Sequence, residues 1–128
     1  MTVKYTYTRL QVNNYQACKE FYRDVMGFAV TFEGDRYAEL ETGQTKITLL
    51  DRKKLSAIVG SDVAAYADQD DRIALSFDVT NLDETCQQLK AKGVEFINNP
   101  WSFPDWGYKS TFFRDPDRNL IELTQMLT

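Results

Sequence analysis

Hydrophobic and polar residues alternate with period two through most of the first 51 residues, and helical spacing interrupts this pattern once. Residues 3–12 are rich in threonine, tyrosine and valine, which favours a strand with Tyr7, Arg9 and Gln11 on one face. Apolar residues then recur at helical spacing over 15–25, after Asn13 or Asn14 as a cap. Three alternating segments follow, at 28–33, 36–41 and 45–50. The predicted element order is β-α-β-β-β.

The same order is predicted again after a connector at residues 52–71. The connector is charged at both ends, and Ser61-Asp62 could cap a short helix within it. A strand at 73–79, a helix ending at Gly93, a strand at 94–97, a loop at 98–107 and a terminal hairpin complete the second set. We therefore predict one domain, 1–128, built from a module at 1–51 and a module at 72–128.

The terminal hairpin contains a tight turn and an unusual carboxylate. Pro116 fixes φ at the turn, and Asp115, Asp117 and Asn119 have short side chains that bond nearby backbone groups. In the following strand Glu122 stands between two apolar residues. A charge in that position is costly unless it has a partner.

Composition limits the classes of function. The 128 residues carry 15 basic and 19 acidic side chains, which argues against a nucleic-acid or anionic-membrane surface. Neither a membrane-length apolar run nor a signal-peptide pattern is present, so we expect a cytoplasmic protein. Cys18 and Cys86 fall in the two predicted helices, where buried thiols are expected in preference to redox or catalytic use.

The chain contains no histidine. This excludes Ser-His and Cys-His nucleophilic dyads and removes the commonest metal ligand. Glycine-rich phosphate loops are also missing, so nucleotide binding has no local support. Any acid-base chemistry must come from carboxylates, tyrosines, lysines or the cysteines.

Two motifs resemble the vicinal oxygen chelate superfamily, the group of glyoxalase I, bleomycin- and fosfomycin-resistance proteins and extradiol dioxygenases. They are FYRDVMGF at 21–28 and DPDRNLIEL at 115–123, and Trp106-Gly107 is similar to the bleomycin-resistance branch. The resemblance implies an α+β fold, with two βαβββ modules forming a curved mixed sheet that encloses a cleft. Arg118 stands where the family usually has glycine, which predicts a non-glycine residue at positive φ.

The resemblance also implies four cleft-facing positions at which the family's enzymes hold a divalent metal, Tyr7, Thr48, Arg72 and Glu122. Only Glu122 is an ordinary ligand, and a guanidinium would repel the ion. We therefore predict that Arg72 replaces the metal as the cation that satisfies Glu122. The pair is interpreted either as an internal ion pair or, with Tyr7 and Gln11, as the polar floor of a ligand site.

Aromatic residues supply the other candidate binding positions. Four lie within eight residues, in a loop that the family places over the cleft mouth, and two come from strands of the first module; flat rings with polar tips suit a planar ligand. Their alternative role is to cover the sheet or a dimer interface. The predicted ligand-binding set is Tyr7, Arg9, Gln11, Phe32, Tyr37, Thr48, Arg72, Trp101, Phe103, Trp106, Tyr108 and Glu122.

Two functions follow from these observations and the resemblance. The first is a small-molecule-binding protein, similar to bleomycin-resistance proteins, that sequesters a planar aromatic compound without a metal or another cofactor. The alternative is an enzyme of the glyoxalase I or ring-cleaving type, either a metal-dependent lyase or dioxygenase or a metal-free acid-base catalyst led by Glu122 and Tyr7. The resemblance further implies a homodimer, and the sequence does not identify the ligand.

Overall fold

The computed structural model describes residues 1–54 and 71–127. The chain forms two compact units, Met1–Tyr66 and Ala67–Thr128. Each unit contains one four-stranded mixed sheet and the element order β-α-β-β-β, which confirms the predicted α+β class. The short helix predicted after Ser61-Asp62 lies outside the described residues. None of the helices in the described ranges is long and apolar enough to cross a lipid bilayer.

The first unit contains four strands and one helix. Its elements are β1 (Tyr7–Val12), α1 (Tyr15–Glu20), a π-helical turn (Phe21–Val25), β2 (Ala29–Gly34), β3 (Tyr37–Glu41), β4 (Lys46–Asp51) and a 3-10 turn (Arg52–Lys54). The strand order is β1-β4-β3-β2, with β1 parallel to β4. Asn14 caps α1 by accepting a hydrogen bond from the Ala17 amide at 3.2 Å.

The core of the first unit lies on the face of this sheet that α1 covers. Val12, Leu40 and Leu49 are fully buried there, and the helix adds the buried side chains of Cys18 and Tyr22. Period-two alternation along the same strands turns the neighbouring residues to the opposite face. That opposite face is polar, and it carries the first group of candidate site residues.

The second unit repeats the arrangement. Its elements are β5 (Ala74–Asp78), α2 (Leu82–Ala91), β6 (Trp101–Phe103), a 3-10 turn (Pro104–Trp106), β7 (Tyr108–Arg114) and β8 (Leu120–Met126). The strand order is β5-β8-β7-β6, with β5 parallel to β8. Buried Leu82, Cys86 and Leu89 of α2 and buried Ile121 and Leu123 of β8 contribute to its core.

The predicted strand at 94–97 is wrong. Only Phe96 makes a bridge there, to Phe113, and β6 lies instead within the predicted loop at 98–107. The side chain of Asn98 explains the interruption, because its Oδ1 accepts the Phe112 amide hydrogen at 3.0 Å. A backbone donor of β7 that a continuing strand would use is therefore already occupied.

The turn between β7 and β8 forms as predicted. Asp115 Oδ1 accepts the amide hydrogens of Asp117 at 2.9 Å and Asn119 at 2.8 Å, and Oδ2 accepts the Asn119 side-chain amide at 2.9 Å. Arg118 has φ of +69°, which confirms the prediction of a non-glycine residue at positive φ. This turn fixes the register of β8 and with it the position of Glu122.

Candidate functional site

The polar face of sheet 1 brings together the candidate residues of the first unit. Arg9 on β1 is directly opposite Thr48 on β4, and Thr48 is opposite Glu39 on β3, so the three form one row across the sheet. Residues two positions away along each strand share this face. The residues of the polar face of sheet 1 include Tyr7, Arg9, Gln11, Phe32, Tyr37, Glu39, Glu41, Lys46, Thr48 and Leu50.

Arg9 is held by two tyrosine rings. Its Nη2 donates to the Tyr7 hydroxyl at 2.7 Å. Its guanidinium carbon lies 5.5 Å from the centre of the Tyr7 ring and 5.7 Å from the centre of the Tyr37 ring. Both distances are within the range of cation–π attraction, so the cation is stabilised by neutral groups.

Glu39 is held in its ionised form by two donors. Lys46 Nζ lies 2.9 Å from Oε1, and the Tyr37 hydroxyl donates to Oε2 at 2.7 Å. The hydrogen bond from Lys46, followed by that from Tyr37, lowers the pKa of Glu39 below its usual value. Burial, followed by the hydrogen bond to Glu39, raises the pKa of Tyr37, which keeps the phenol protonated near neutral pH.

This pKa shift predicts an acid-dependent contribution to stability. Because folding lowers the pKa of Glu39, its ionised carboxylate stabilises the folded state at pH values above the unfolded-state pKa, about 4.3. This stabilisation is lost as the pH falls through the folded-state pKa. Lys46→Gln removes the main cause of the shift. The difference in unfolding free energy between wild type and Lys46→Gln, measured by urea unfolding, should therefore shrink as the pH falls from about 6 to about 3. A difference that stayed constant over this range would contradict the assignment.

Thr48 lies at the centre of this face with its hydroxyl unused. The residue is 0% exposed, and its Oγ1 has no hydrogen-bond partner among the described residues. The Nε of Arg9, in the same row, is also buried without an acceptor in the described part of the chain. Buried polar atoms are normally hydrogen-bonded, so two such atoms in one row indicate a place where a ligand or water completes the bonding.

Six predicted binding residues of the first half share this face, Tyr7, Arg9, Gln11, Phe32, Tyr37 and Thr48. Phe32 contacts Tyr37 edge-on, with ring centres 6.0 Å apart. Glu39 and Lys46 were missed, although each lies two residues from a predicted site residue on the same strand. Consistent use of period-two alternation on all strands would have found both.

In the second unit, Ser76 is the partner of Glu122. The two residues are directly opposite in the parallel pair β5–β8, and Ser76 Oγ donates to Glu122 Oε1 at 2.5 Å. Phe112 of β7 is opposite Glu122 on its other side. Ser76 and Phe112 are not among the predicted site residues, because their positions opposite Glu122 depend on the register between strands.

The predicted ion pair between Arg72 and Glu122 is wrong. Arg72 is exposed and precedes β5, whose first residue, Ala74, is opposite Leu120. The adjacent Asp71 forms the ion pair at this end of the sheet, with Arg114 at 2.6 Å and 2.8 Å. Glu122 lies further along β8, so the strand register places Arg72 beyond its reach. A ligand-binding role for Arg72 stays a prediction.

Three rings of the second unit form what we term the ring cluster, Phe103, Trp106 and Tyr108. Phe103 stacks on Trp106 with centres 5.6 Å apart and lies 5.5 Å from Tyr108. Gly107, at φ of +80°, allows the chain to turn between the last two rings. Trp106 is 71% exposed and nearby Trp101 is 66% exposed, so large aromatic surfaces are accessible within this unit.

Tyr7 and Thr48, two of the four positions at which the resemblance implies metal ligands, do not suit a divalent ion. The Tyr7 hydroxyl accepts a hydrogen bond from the Arg9 guanidinium, and Thr48 offers only a neutral hydroxyl. The Arg9 guanidinium, with Nη2 at 2.7 Å from the Tyr7 hydroxyl, carries a permanent positive charge that would repel a metal ion bound to that hydroxyl. In the described ranges, no three acidic, cysteine or histidine side chains are grouped as metal ligands would be.

Comparison with known proteins gives one consistent family. A model of the Glyoxalase/Bleomycin resistance protein/Dioxygenase superfamily matches residues 4–123. The uncharacterized protein YraH of Bacillus subtilis is 36% identical over 122 residues, which cover 93% of this chain and 95% of YraH.

Solved structures agree with the fold. A glyoxalase/bleomycin resistance protein/dioxygenase from Nocardioides has a TM-score of 0.83 at 21% identity, covering 98% of this chain and 87% of its own. A lactoylglutathione lyase from Agrobacterium tumefaciens has a TM-score of 0.73 at 20% identity, covering 97% of this chain and 94% of its own. At these identities the similarity shows the fold alone.

Proposed function

Because the chain belongs to the glyoxalase/bleomycin resistance protein/dioxygenase superfamily, we propose that it is a binding protein for a planar aromatic small molecule and works without a metal ion. The observation that carries the proposal is the ring cluster, in which Trp106 is stacked on Phe103 and is still 71% exposed. An indole fixed on one side and open elsewhere is a preformed stacking surface. Aromatic exposure of this size favours a binding role over a solvent-facing loop.

The arrangement around Arg9 supports binding without metal chemistry. Superfamily enzymes need ligands that displace water from a divalent ion, whereas Tyr7 here accepts from a guanidinium at 2.7 Å. The alternative function is a metal-dependent lyase or dioxygenase. Its support is the fold shared with the Agrobacterium lyase, which at 20% identity does not extend to activity.

Elemental analysis separates the two functions. We expect the protein, purified without chelators and dialysed against manganese, nickel, iron or zinc, to contain well under one equivalent of each metal. Glu122→Gln serves as the comparison, since its metal content should equal that of the wild type. A stoichiometric metal that disappears in Glu122→Gln would overturn the proposal and favour the enzyme.

Tryptophan fluorescence tests the aromatic ligand directly. Trp101 and Trp106 are the two tryptophans, so Trp101→Phe leaves Trp106 as the single indole. A bound planar compound should quench this variant about as strongly as the wild type, because the ligand would stack on Trp106. Trp106→Ala should abolish the response and weaken binding by roughly tenfold or more, the loss of one stacked ring. Unchanged emission across a broad panel of flat aromatic compounds would contradict the proposal.

A further inference from the structure

We infer that the second unit binds a protonated amine of the small-molecule ligand in a cavity beside the ring cluster, with the Asp78 carboxylate as its counter-charge. The inference rests on the proposed function for the aromatic part of the ligand and adds the charge of its other end. The ligand class is therefore an arylalkylamine, in which a short chain joins a planar ring to an ammonium group. All of the residues that carry the inference belong to the second unit.

A cavity of about 620 Å³ opens at one end of the second unit's sheet, where β5 leads into α2 and β8 ends. Small-molecule sites have volumes in this range. The residues that line it are Asp78, Val79, Thr80, Thr85, Gln125 and Met126. None of them belongs to the predicted ligand-binding set. Asp78 is exposed, so a ligand can reach its carboxylate from solvent.

The cavity adjoins the ring cluster through Met126. This residue of β8 is directly opposite Tyr108 of β7, and Tyr108 is in turn opposite Phe103 of β6. Residues opposite each other share a face of the sheet, so the methionine and the two rings form one row. Met126 also lines the cavity and is 65% exposed. Its flexible, apolar side chain can contact the chain that joins the ring of the ligand to its amine.

Asp78 lies on the same face of the sheet as the ring cluster. It is opposite Thr124 of β8, which precedes Met126 by two residues and therefore points to the same side. Two strand spacings and two residues along the strand separate Asp78 from Tyr108, which places their Cα atoms about 12 Å apart. A bicyclic aromatic ring with an aminoethyl chain can span this separation.

The carboxylate of Asp78 is oriented by the protein but not neutralised. Thr124 Oγ1 donates to its Oδ1 at 2.5 Å, and this partner carries no charge. None of the residues that line the cavity in the described part of the chain is basic. Lys109 of β7 is opposite Gln125, on the face that α2 covers, and it pairs with Asp83 at 3.8 Å. An ammonium group, which donates charge-assisted hydrogen bonds to a carboxylate, therefore suits the cavity better than an anion does.

Glu122 is a second carboxylate on this face, but it is less well placed. It precedes Thr124 by two residues, which puts it further than Asp78 from the row of Met126. It does not line the cavity. We therefore assign the recognition of the amine to Asp78.

The test compares two compounds of similar shape, 2-naphthylethylamine and the neutral 2-naphthylethanol. The amine is protonated at neutral pH. By isothermal titration calorimetry, wild type should bind the amine about fivefold more tightly, the effect of one charge pair that is open to solvent. The preference should decrease as sodium chloride is added, because salt screens an accessible pair.

Three variants assign the preference to its residue. Asp78→Asn should remove it, and Thr124→Val, which keeps the shape but loses the hydroxyl that orients Asp78, should reduce it. Asp35→Asn is the matched control, because it removes the same charge from an exposed position of the first unit and should leave the preference unchanged. A preference that survives in Asp78→Asn, or that Asp35→Asn lowers equally, would overturn the inference. Unchanged amide spectra of the variants establish that each one is folded.

A second measurement separates this inference from the proposed function. The ring-free compound n-butylamine should shift the backbone amide signals of Val79 and Thr80 in wild type but not in Asp78→Asn. Such shifts, without any fluorescence response of Trp106 to aromatic compounds, would support amine recognition while the aromatic-ligand proposal fails. Equal affinity for the two naphthyl compounds would overturn the inference and leave the proposed function standing. Val79 and Thr80 signals that neither amine moves would also overturn it.

Discussion

Phe113→Ala is expected to lower the free energy of unfolding by about 4 kcal/mol, the usual cost of truncating a fully buried phenylalanine. Phe113 is 0% exposed and packs edge-on against Phe96, with ring centres 5.3 Å apart. It lies on β7 opposite Ile121 of β8, which is also fully buried. Removing the ring leaves a cavity between β7 and Phe96 that the surrounding strands can fill only in part. Urea unfolding followed by circular dichroism measures the loss.

Phe112→Ala is the matched control for this prediction. It removes the same atoms one residue earlier, from a partly exposed ring on the opposite face of β7, the face of Glu122. The loss of stability should be well under half of that for Phe113→Ala, since the Phe112 ring buries less apolar surface on folding. Equal losses for both variants would contradict the assignment of the two faces of sheet 2.

Asp115→Ala is expected to lower the free energy of unfolding by about 3 kcal/mol, because the hydrogen bonds to a charged acceptor are lost and their donors are left without that acceptor. The carboxylate is only 4% exposed and accepts from two backbone amides and from the side chain of Asn119. These bonds hold the turn that joins β7 to β8. The free energy of unfolding at neutral pH, from urea titration, is again the measurement.

Two variants control this second prediction. Asp35→Ala removes a carboxylate from an exposed turn, where the side chain is 83% exposed, so little change is expected. Asp115→Asn keeps one acceptor oxygen and should recover part of the loss. The assigned role of the Asp115 carboxylate would be wrong if Asp115→Ala were as stable as Asp35→Ala.

The sequence was a good guide wherever the local pattern and the turn chemistry agreed. Asn14 and Asn81 cap the two helices, and Gly27 and Gly93 follow the helices at positive φ. These features depend on neighbours within a few residues, so they can be read from the chain. The prediction of a strand at 94–97 is wrong because an apolar, β-prone run does not reveal which groups compete for its hydrogen bonds. The bond from the Phe112 amide to the distant Asn98 side chain is a tertiary feature that no local pattern contains.

The candidate site shows the same contrast between features that local pattern predicts and features that depend on tertiary contacts. Alternation alone placed Tyr7, Arg9 and Gln11 on one face of β1, and the strand register confirms that they share it with Thr48. The predicted pairing of Arg72 with Glu122 is wrong because β5 begins at Ala74, opposite Leu120, and the residue opposite Glu122 is Ser76.

By itself, the sequence determined the order of elements, the resemblance to the superfamily and which side chains alternate to the same side of each strand. Only the tertiary structure decided which residues face each other across strands: Ser76 beside Glu122, and Arg9 beside Thr48 with its hydroxyl unpartnered in the described part of the chain. The physical reason is the range of the interactions. Caps, turns and periodicity act within a few residues, whereas strand register is fixed by contacts that join residues as far apart as 47 positions.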